Sequence, residues 1–303
     1  MGEFGLIARV VARLPQGGTS LLGPGDDAAV VSAPDARVVA TTDLLVEGRH
    51  FRREWSDPVA IGRRAAAQNL ADVAAMGAVP TALLVGLAAP ADLDVAWAEG
   101  FADGLAAECG PLGASVVGGD VVASPVLTLA ITALGDLQGR PPVTRSGASP
   151  GDVVFVAGRL GWSAAGLQQL EADPAARGPY VDAYRCPSPP YALGPELARR
   201  GATAMVDTSD GLVADLGHIA AASGVRIELD THRLAGLRSG DVSMEQLLTG
   251  GEDHALAGTI PADVPLPGRV TVIGVVTPGD GAVLVDGAVL ERGGFDHFAD
   301  PTR

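Results

Sequence analysis

Short runs of β-branched and aliphatic residues punctuate this chain, separated by longer segments in which apolar positions recur every three or four residues. Val38 to Thr42 reads as a strand, and a helix follows from about Asp57 to Met76. That helix carries its own boundaries: Ser56 or Asp57 as N-cap, Pro58 near the first helical position and Gly77 as C-cap. Thr81 to Leu87 reads as a buried strand, Leu93 to Cys109 as a second helix, and Ala114 to Val117 and Val126 to Gly135 as two more strands. Gly139-Arg-Pro-Pro through Pro150-Gly has the composition of a connection between domains. The second half restarts with strand Val153 to Ala157, a helix from about Ser163 to Leu170, a proline-rich crossing at Pro187 to Pro190 and a short helix at Leu193 to Arg200. Strand Ala204 to Asp207, a helix from about Asp210 to Ser223 and strand Val225 to Leu229 come next. Strands Ala255 to Thr259 and Val270 to Val276 follow, with a hairpin turning at Asp286-Gly287. This order predicts an α+β fold of two layered domains, 1–148 and 149–303, with no sequence repeat between them.

Composition sharpens the picture. Hydrophobic residues make up 47% of the 303 but aromatics only 4%, so the core must be built from Ala, Val and Leu. A net charge of −15 repels nucleic acid and anionic membrane surfaces. The longest uncharged run, between Asp72 and Asp92, is broken by Gly77, Pro80, Gly86 and Pro90, which argues against a membrane span. Cys109 and Cys186 have no metal-ligand spacing and read as buried thiols. The opening residues lack a signal pattern, and Leu6 stands where a myristoylation site needs Ser or Thr, so the expected location is cytoplasmic.

All 21 basic residues are arginines. With no lysine there is no P-loop lysine and no Schiff base. Acidic residues instead gather beside glycines or in short polar strings: Gly25-Asp-Asp, Thr41-Thr-Asp, Asn69-Leu-Ala-Asp, Gly118-Gly-Asp, Asp207-Thr-Ser-Asp-Gly and Gly250-Gly-Glu-Asp. Such a scatter suits several divalent cations held against a polyanionic ligand.

Each string has an ordinary alternative. Asp72 falls in the last turns of its helix, where the macrodipole disfavours an acid; it is either a solvated surface residue or, with Asn69 one turn earlier, half of a ligand pair. Asp26 and Asp27 also suit a plain turn, as do Glu252 and Asp253 after their two glycines. Asp43 and Asp120 are expected at strand ends, where α and β folds tend to place functional groups. Asp207, Ser209 and Asp210 precede a helix, as its N-cap or as a phosphate and metal site. Arg145 is either a phosphate clamp or a surface residue, and His50 reads more simply as packing.

In combination and in order, these strings resemble the thiamine-monophosphate kinase family, within the aminoimidazole ribonucleotide synthetase-like superfamily. Gly2-Glu-Phe-Gly-Leu-Ile, Thr41-Thr-Asp-Leu-Leu-Val-Glu-Gly-Arg-His-Phe, Thr144-Arg-Ser-Gly-Ala and the closing Gly294-Phe-Asp-His-Phe extend the resemblance nearly end to end. One departure is His254, where the family pattern has Tyr. The resemblance implies a homodimer, its N-terminal domains forming a shared β-barrel, and a C-terminal α+β domain closing over the site. It implies ATP-dependent phosphorylation of thiamine monophosphate to the diphosphate with Mg2+, the need for a monovalent cation staying open. By resemblance the magnesium positions are Asp27, Thr41, Thr42, Asp43, Asp72, Asp120, Asp207 and Asp210. Gly119, Asp120, Arg145 and Ser209 would touch ATP; His50, Glu252 and Phe295 would touch thiamine monophosphate; Asp210 and Arg145 would act in catalysis. Superfamily relatives that close a purine ring or make selenophosphate are the nearest rivals; the latter would need a reactive Cys and a Lys near the N-terminus, which are missing here. A calcium-binding scaffold is the rival of another class, and no D-x-D-x-D-G loop supports it.

Overall fold

The computed structural model describes residues 3–24 and 28–290. Asp27 and Phe295, with the Gly25-Asp-Asp and Gly294-Phe-Asp-His-Phe strings, therefore lie outside the described residues. The chain divides into two compact units, Met1–Ala74 with Ala78–Pro141 and Arg185–Pro187, and Ala75–Gly77 with Pro142–Tyr184 and Ser188–Arg303.

In the first unit α1 (Glu3–Val11) precedes a two-stranded ribbon of β1 (Ser20–Leu22) and β2 (Val30–Val31). The main sheet holds β3 (Val39–Val46), β4 (Val79–Ala89), β5 (Ser115–Ala123) and β6 (Thr128–Asp136) in the order β3-β6-β4-β5. Two helices, α2 (Pro58–Ala75) and α3 (Val95–Cys109), complete it, with a short 3-10 turn at Gly110–Leu112. The expected start of α2 is realised: Asp57 Oδ1 accepts the Ala60 N–H at 2.8 Å, Pro58 is the first helical residue, and Gly77 beyond the end adopts a left-handed φ of 73°. Ala65, Ala66, Leu70, Ala71, Val73 and Ala74 are all fully buried, so α2 is surrounded on most sides, as an alanine-rich core requires.

One face of the sheet, with Leu45, Leu83, Leu129 and Ile131, is buried, and Val73 of α2 lies against Gly135 there. The other face leaves Leu44, Leu84 and Val122 exposed. The expectation that Asp43 and Asp120 end strands is corrected. Both lie within strands, because β3 pairs with β6 along its whole length and β5 continues past its glycines to Ala123. A Cβ on Gly119 would stand 1.9 Å from the Val85 carbonyl oxygen, so this glycine permits close β4–β5 pairing rather than a break.

The second unit is built on a seven-stranded mixed sheet, ordered β13-β12-β9-β11-β7-β10-β8. Its strands are β7 (Asp152–Ala157), β8 (Ala204–Asp207), β9 (Val225–Leu229), β10 (Leu256–Pro261), β11 (Val270–Pro278), β12 (Val283–Val285) and β13 (Ala288–Val289). Its helices are α4 (Trp162–Ala172), α5 (Pro179–Arg185), α6 (Leu193–Arg200), α7 (Leu212–Ser223), α8 (Thr231–Ala235) and α9 (Met244–Thr249), the last residue of α5 being assigned to the first unit. Val154 and Val156 of β7 join one core with Leu216 and Ile219 of α7, while Phe155 and Ala157 join the opposite core with Leu197 of α6. That alternation is the period-2 signature of a strand covered on both faces. Asp286 (φ 49°) and Gly287 (φ 81°) make the expected hairpin turn. Among the described residues no helix is long and apolar enough to cross a membrane.

Helices α2 and α3 meet backbone to backbone. A Cβ on Gly104 would fall 2.2 Å from the Val59 carbonyl oxygen, and one on Gly62 2.2 Å from that of Phe101. We expect Gly104→Ala to cost about 1–3 kcal/mol through overpacking, read as a lower melting temperature. Gly110→Ala, which meets nothing within 4 Å at a φ of −54°, serves as the neutral control.

Candidate active site

In the first unit, α2 delivers its polar residues to β3. The Thr41 hydroxyl donates to Asp72 Oδ2 at 2.8 Å, and Gln68 Nε2 donates to Asp43 Oδ2 at 3.2 Å. Asn69 does not present an oxygen beside Asp72 for a shared ligand. It is fully buried, its Oδ1 accepts the Asp43 backbone N–H at 3.1 Å, and its Nδ2 donates to the Ala65 carbonyl. Thr41, Asp43 and Asp72 thus form one cluster on the helix-covered face of the sheet, next to the negative end of α2, where a cation would relieve the charge.

Thr42 and Asp120 are not part of it. Side chains alternate along a strand, and Asp43 shares its face with Ile131, Val85 and Gly119, whereas Asp120 shares the other with Gly86, Ala130 and Leu44. The Thr42 hydroxyl donates to the Ile131 carbonyl at 3.0 Å and accepts from the Thr132 hydroxyl at 3.1 Å. β3 and β5 are opposite edges of the sheet, three strand spacings or about 14 Å apart. Within this unit Asp120 therefore stands apart from Asp43 and Asp72, on the other face and at the opposite edge of the sheet. His50, half-buried, accepts the Val46 N–H on Nδ1 at 3.0 Å, which leaves the proton of its neutral ring on Nε2.

In the second unit the site grows out of the β8–β10 pairing, in which Leu256 faces Asp207. The pairing continues past the strand ends: Thr208 N–H donates to the Ala255 carbonyl, His254 N–H to the Thr208 carbonyl and Glu252 N–H to the Ser209 carbonyl, at 2.8, 3.0 and 2.9 Å. Residues 207–211 and 250–255 are thereby laced together. Asp207 and His254 are buried, and His254 Nδ1 lies 3.0 Å from Asp207 Oδ2. Burial works against a charge on His254, but the carboxylates of Asp207 and Glu252 more than offset it and raise its pKa.

Helix α7 starts at Leu212 after Gly211 (φ 122°), two residues later than the sequence pattern indicated. Neither Ser209 nor Asp210 caps it. Asp215 reaches back from the first turn, its Oδ2 accepting the N–H groups of Asp210 and Gly211 at 3.2 and 3.0 Å. Two N–H groups of the segment read as an N-cap or phosphate site therefore already have an acceptor. Asp210, Asp215 and the exposed His218 each offer a ligand atom within 4.8 Å of the others. The Arg145 backbone stands at the other end of α7 from Asp210: Ser223 Oγ, on the last residue of this 12-residue helix, donates to its carbonyl at 3.0 Å, which puts that carbonyl about a helix length, roughly 18 Å, from Asp210.

The donor chemistry fits hard divalent cations. Apart from His218 the clustered groups are carboxylate and hydroxyl oxygens, the set that Mg2+ takes, with no thiolate among them. Cys109 is buried, and burial, then Glu108, push its thiol up to about 12; Cys186 is half-buried, its Sγ 3.9 Å from the Ala60 carbonyl.

Residues 25–137 match the profile of the AIR synthase related protein, N-terminal domain, and residues 149–287 that of its C-terminal domain. A protein named thiamine-monophosphate kinase from Mycobacterium tuberculosis is 46% identical over 315 aligned residues, covering 99% of this chain and 93% of that protein. The chain belongs to the thiamine-monophosphate kinase family. A crystal structure of thiamine-monophosphate kinase from Stenotrophomonas maltophilia superposes with a TM-score of 0.81 at 34% identity, covering 96% of this chain and 98% of that one. A second structure, described as AaThiL complexed with AMPPCP and TMP, gives 0.80 at 34% identity over 98% of this chain and 97% of that one.

For this member of the thiamine-monophosphate kinase family, sequence reasoning missed Asp215 and left Asp253 between a ligand group and a plain turn, where the structure makes it a fastening of the fold. The Asp253 carboxylate accepts the N–H groups of Gly161 and Ser163 at 2.5 and 2.9 Å, closing the start of α4 from ninety residues away. The trace that Asp215 leaves in the sequence is that of an acid in the first turn of a helix. Burial, then the charges of Asp207 and Asp210, push its carboxyl up to about 7. A carboxyl whose folded pKa exceeds the unfolded value of about 4 favours the folded state while protonated. Stability is therefore highest below about pH 4 as far as this group is concerned, and falls as pH rises toward 7. Asp215→Asn keeps an acceptor for the two N–H groups and removes the charge. In chelator, its melting temperature should fall less than that of wild type between pH 5 and 8, the gap being widest at pH 8; parallel curves would contradict this.

Proposed function

We propose that this chain transfers the γ-phosphoryl group of ATP to the phosphate of thiamine monophosphate, yielding ADP and thiamine diphosphate. The observation that carries the reading is the end-to-end likeness to the complex with AMPPCP and TMP, a methylene analogue of ATP beside what we read as thiamine monophosphate. The oxygen-rich clusters at Asp43 and Asp72 and at Asp210 and Asp215 support it.

The acceptor needs little activation. A phosphate monoester with a second pKa near 6 is largely dianionic at neutral pH and attacks without a general base. The barrier is the repulsion between two polyanions, and an in-line approach must be held against it. When bound, Mg2+ would supply the neutralising charge, and Thr41, Thr42, Asp43, Asp72, Asp120, Asp207 and Asp210 are the residues we assign to holding it, with Asp27 as a further candidate. Gly119, Asp120, Arg145 and Ser209 are assigned to ATP, the Arg145 fork to its phosphates. His50 and Glu252, with Phe295, are assigned to thiamine monophosphate. Transfer is direct, with no phosphoenzyme.

We further propose that residues 1–148 form the nucleotide- and metal-binding domain and pair with a second copy through a shared β-barrel, while residues 149–303 supply the remaining groups. The open sheet face supports this, since Leu44, Leu84 and Val122 are 56%, 37% and 55% exposed on it. A second copy would also account for Asp120 standing on that face, away from Asp43.

The reading is tested by mixing protein, magnesium, ATP and thiamine monophosphate and resolving the products. We expect thiamine diphosphate and ADP in equal amounts, with turnover lowered ~100-fold or more in Asp72→Asn and Asp210→Asn if each helps hold a cation. ADP formation that ignores thiamine monophosphate, or a labelled phosphoprotein, would overturn it.

A further inference from the structure

Between Asp207 and Glu252 sits a buried imidazole for which the reaction scheme has no role. His254 has 5% of its side chain exposed, and its two nitrogens face two different carboxylates. Nδ1 is 3.0 Å from Asp207 Oδ2, a hydrogen bond. Nε2 is buried without a hydrogen-bond partner, and its nearest acidic neighbour is Glu252 Oε2, 3.7 Å away. Glu252, unlike Asp207, is 40% exposed at its side chain.

The backbone is shaped to hold this arrangement. Glu252 and His254 adopt left-handed φ values of 66° and 51°, unusual for non-glycine residues and costing about 1–3 kcal/mol each. Between them Asp253 is anchored at the start of α4, and on either side the N–H groups of Glu252 and His254 are bonded to Ser209 and Thr208. An imidazole clamped this firmly has little freedom to turn, so the direction of its N–H sets the direction of the carboxylate it binds.

The geometry points to His254 as a positioning residue that couples two subsites: through Nδ1 it orients Asp207 toward a divalent cation, and through Nε2 it draws Glu252 toward the acceptor substrate. The inference rests on the phosphotransfer reading for the roles of Asp207 and Glu252. It adds that one side chain fixes both, so loss of the ring weakens cation binding and acceptor binding together. The two contacts are separable by substitution. In His254→Asn the amide nitrogen falls near Nδ1 and keeps a donor for Asp207, while nothing reaches Glu252. In His254→Gln the amide reaches toward Nε2 and leaves Asp207 without its donor.

The experiment measures two quantities on wild type, His254→Asn, His254→Gln and His254→Phe. The first is Mn2+ affinity without nucleotide or acceptor, by electron paramagnetic resonance; the second is KM for thiamine monophosphate, separately from kcat. We expect His254→Phe to weaken Mn2+ binding about 10-fold or more and to raise KM. His254→Asn should restore Mn2+ affinity while KM stays raised, and His254→Gln should do the reverse. Equal Mn2+ affinity in His254→Asn and His254→Gln, wild-type behaviour in both, or no Mn2+ binding by wild type would each overturn the inference. If His254→Phe fails to fold, the contrast between the two amides decides alone. Wild type that binds Mn2+ but makes no thiamine diphosphate would sink the phosphotransfer reading instead, and the Mn2+ contrast would still judge the link from His254 to Asp207.

Discussion

Like charges packed together repel, and in each of the two units the acidic groups are held in place in spite of that. Backbone N–H groups do most of the holding. Asp215 takes those of Asp210 and Gly211, Asp253 takes those of Gly161 and Ser163, and both are buried acids that those donors keep tolerable. Side-chain donors do the same on the other unit, where Thr41 and Gln68 bind Asp72 and Asp43. The donors to Asp215 do not offset everything: burial first, and then the charges of Asp207 and Asp210, still push its carboxyl up to about 7.

The same logic separates the buried acids from the partly exposed ones. Asp253 is embedded in N–H donors, and its position in Gly-Gly-Glu-Asp follows from the need to close α4. Its neighbour Glu252 is partly exposed. Adjacent carboxylates in one short string therefore have different surroundings, one buried among N–H donors that fasten the fold and the other reaching solvent. Asn69 and Asp72 divide in the same way: the amide is spent on the backbone of β3, and the acid bonds to the hydroxyl of Thr41.

Local rules made much of this legible. Asp57, Pro58 and Gly77 bound α2 as capping chemistry requires, Asp286-Gly287 turns the final hairpin, and the short apolar run Val153 to Ala157 marked β7 as a strand. The short helices α5, α8 and α9 were less visible, since a helix of one or two turns carries too few periodic positions to stand out. Gly118-Gly119 looked like a strand end and is strand interior, because a glycine in a strand marks either a break or a close backbone neighbour, and only the neighbour tells which.

By itself the sequence determined the composition of the chemistry on offer: no lysine, many acids beside glycines, and an ordered set of strings that identifies the family. Which of those acids stand together was decided by the tertiary structure alone. Strand register put Asp43 and Asp120 on opposite faces and opposite edges of one sheet, helix length set the Arg145 backbone apart from Asp210, and the β8–β10 pairing brought His254 onto Asp207. The reason is physical. Spacing along a chain specifies local conformation within a few residues, whereas a one-residue change of register moves a side chain to the other face, and register is settled by which partners a strand finds.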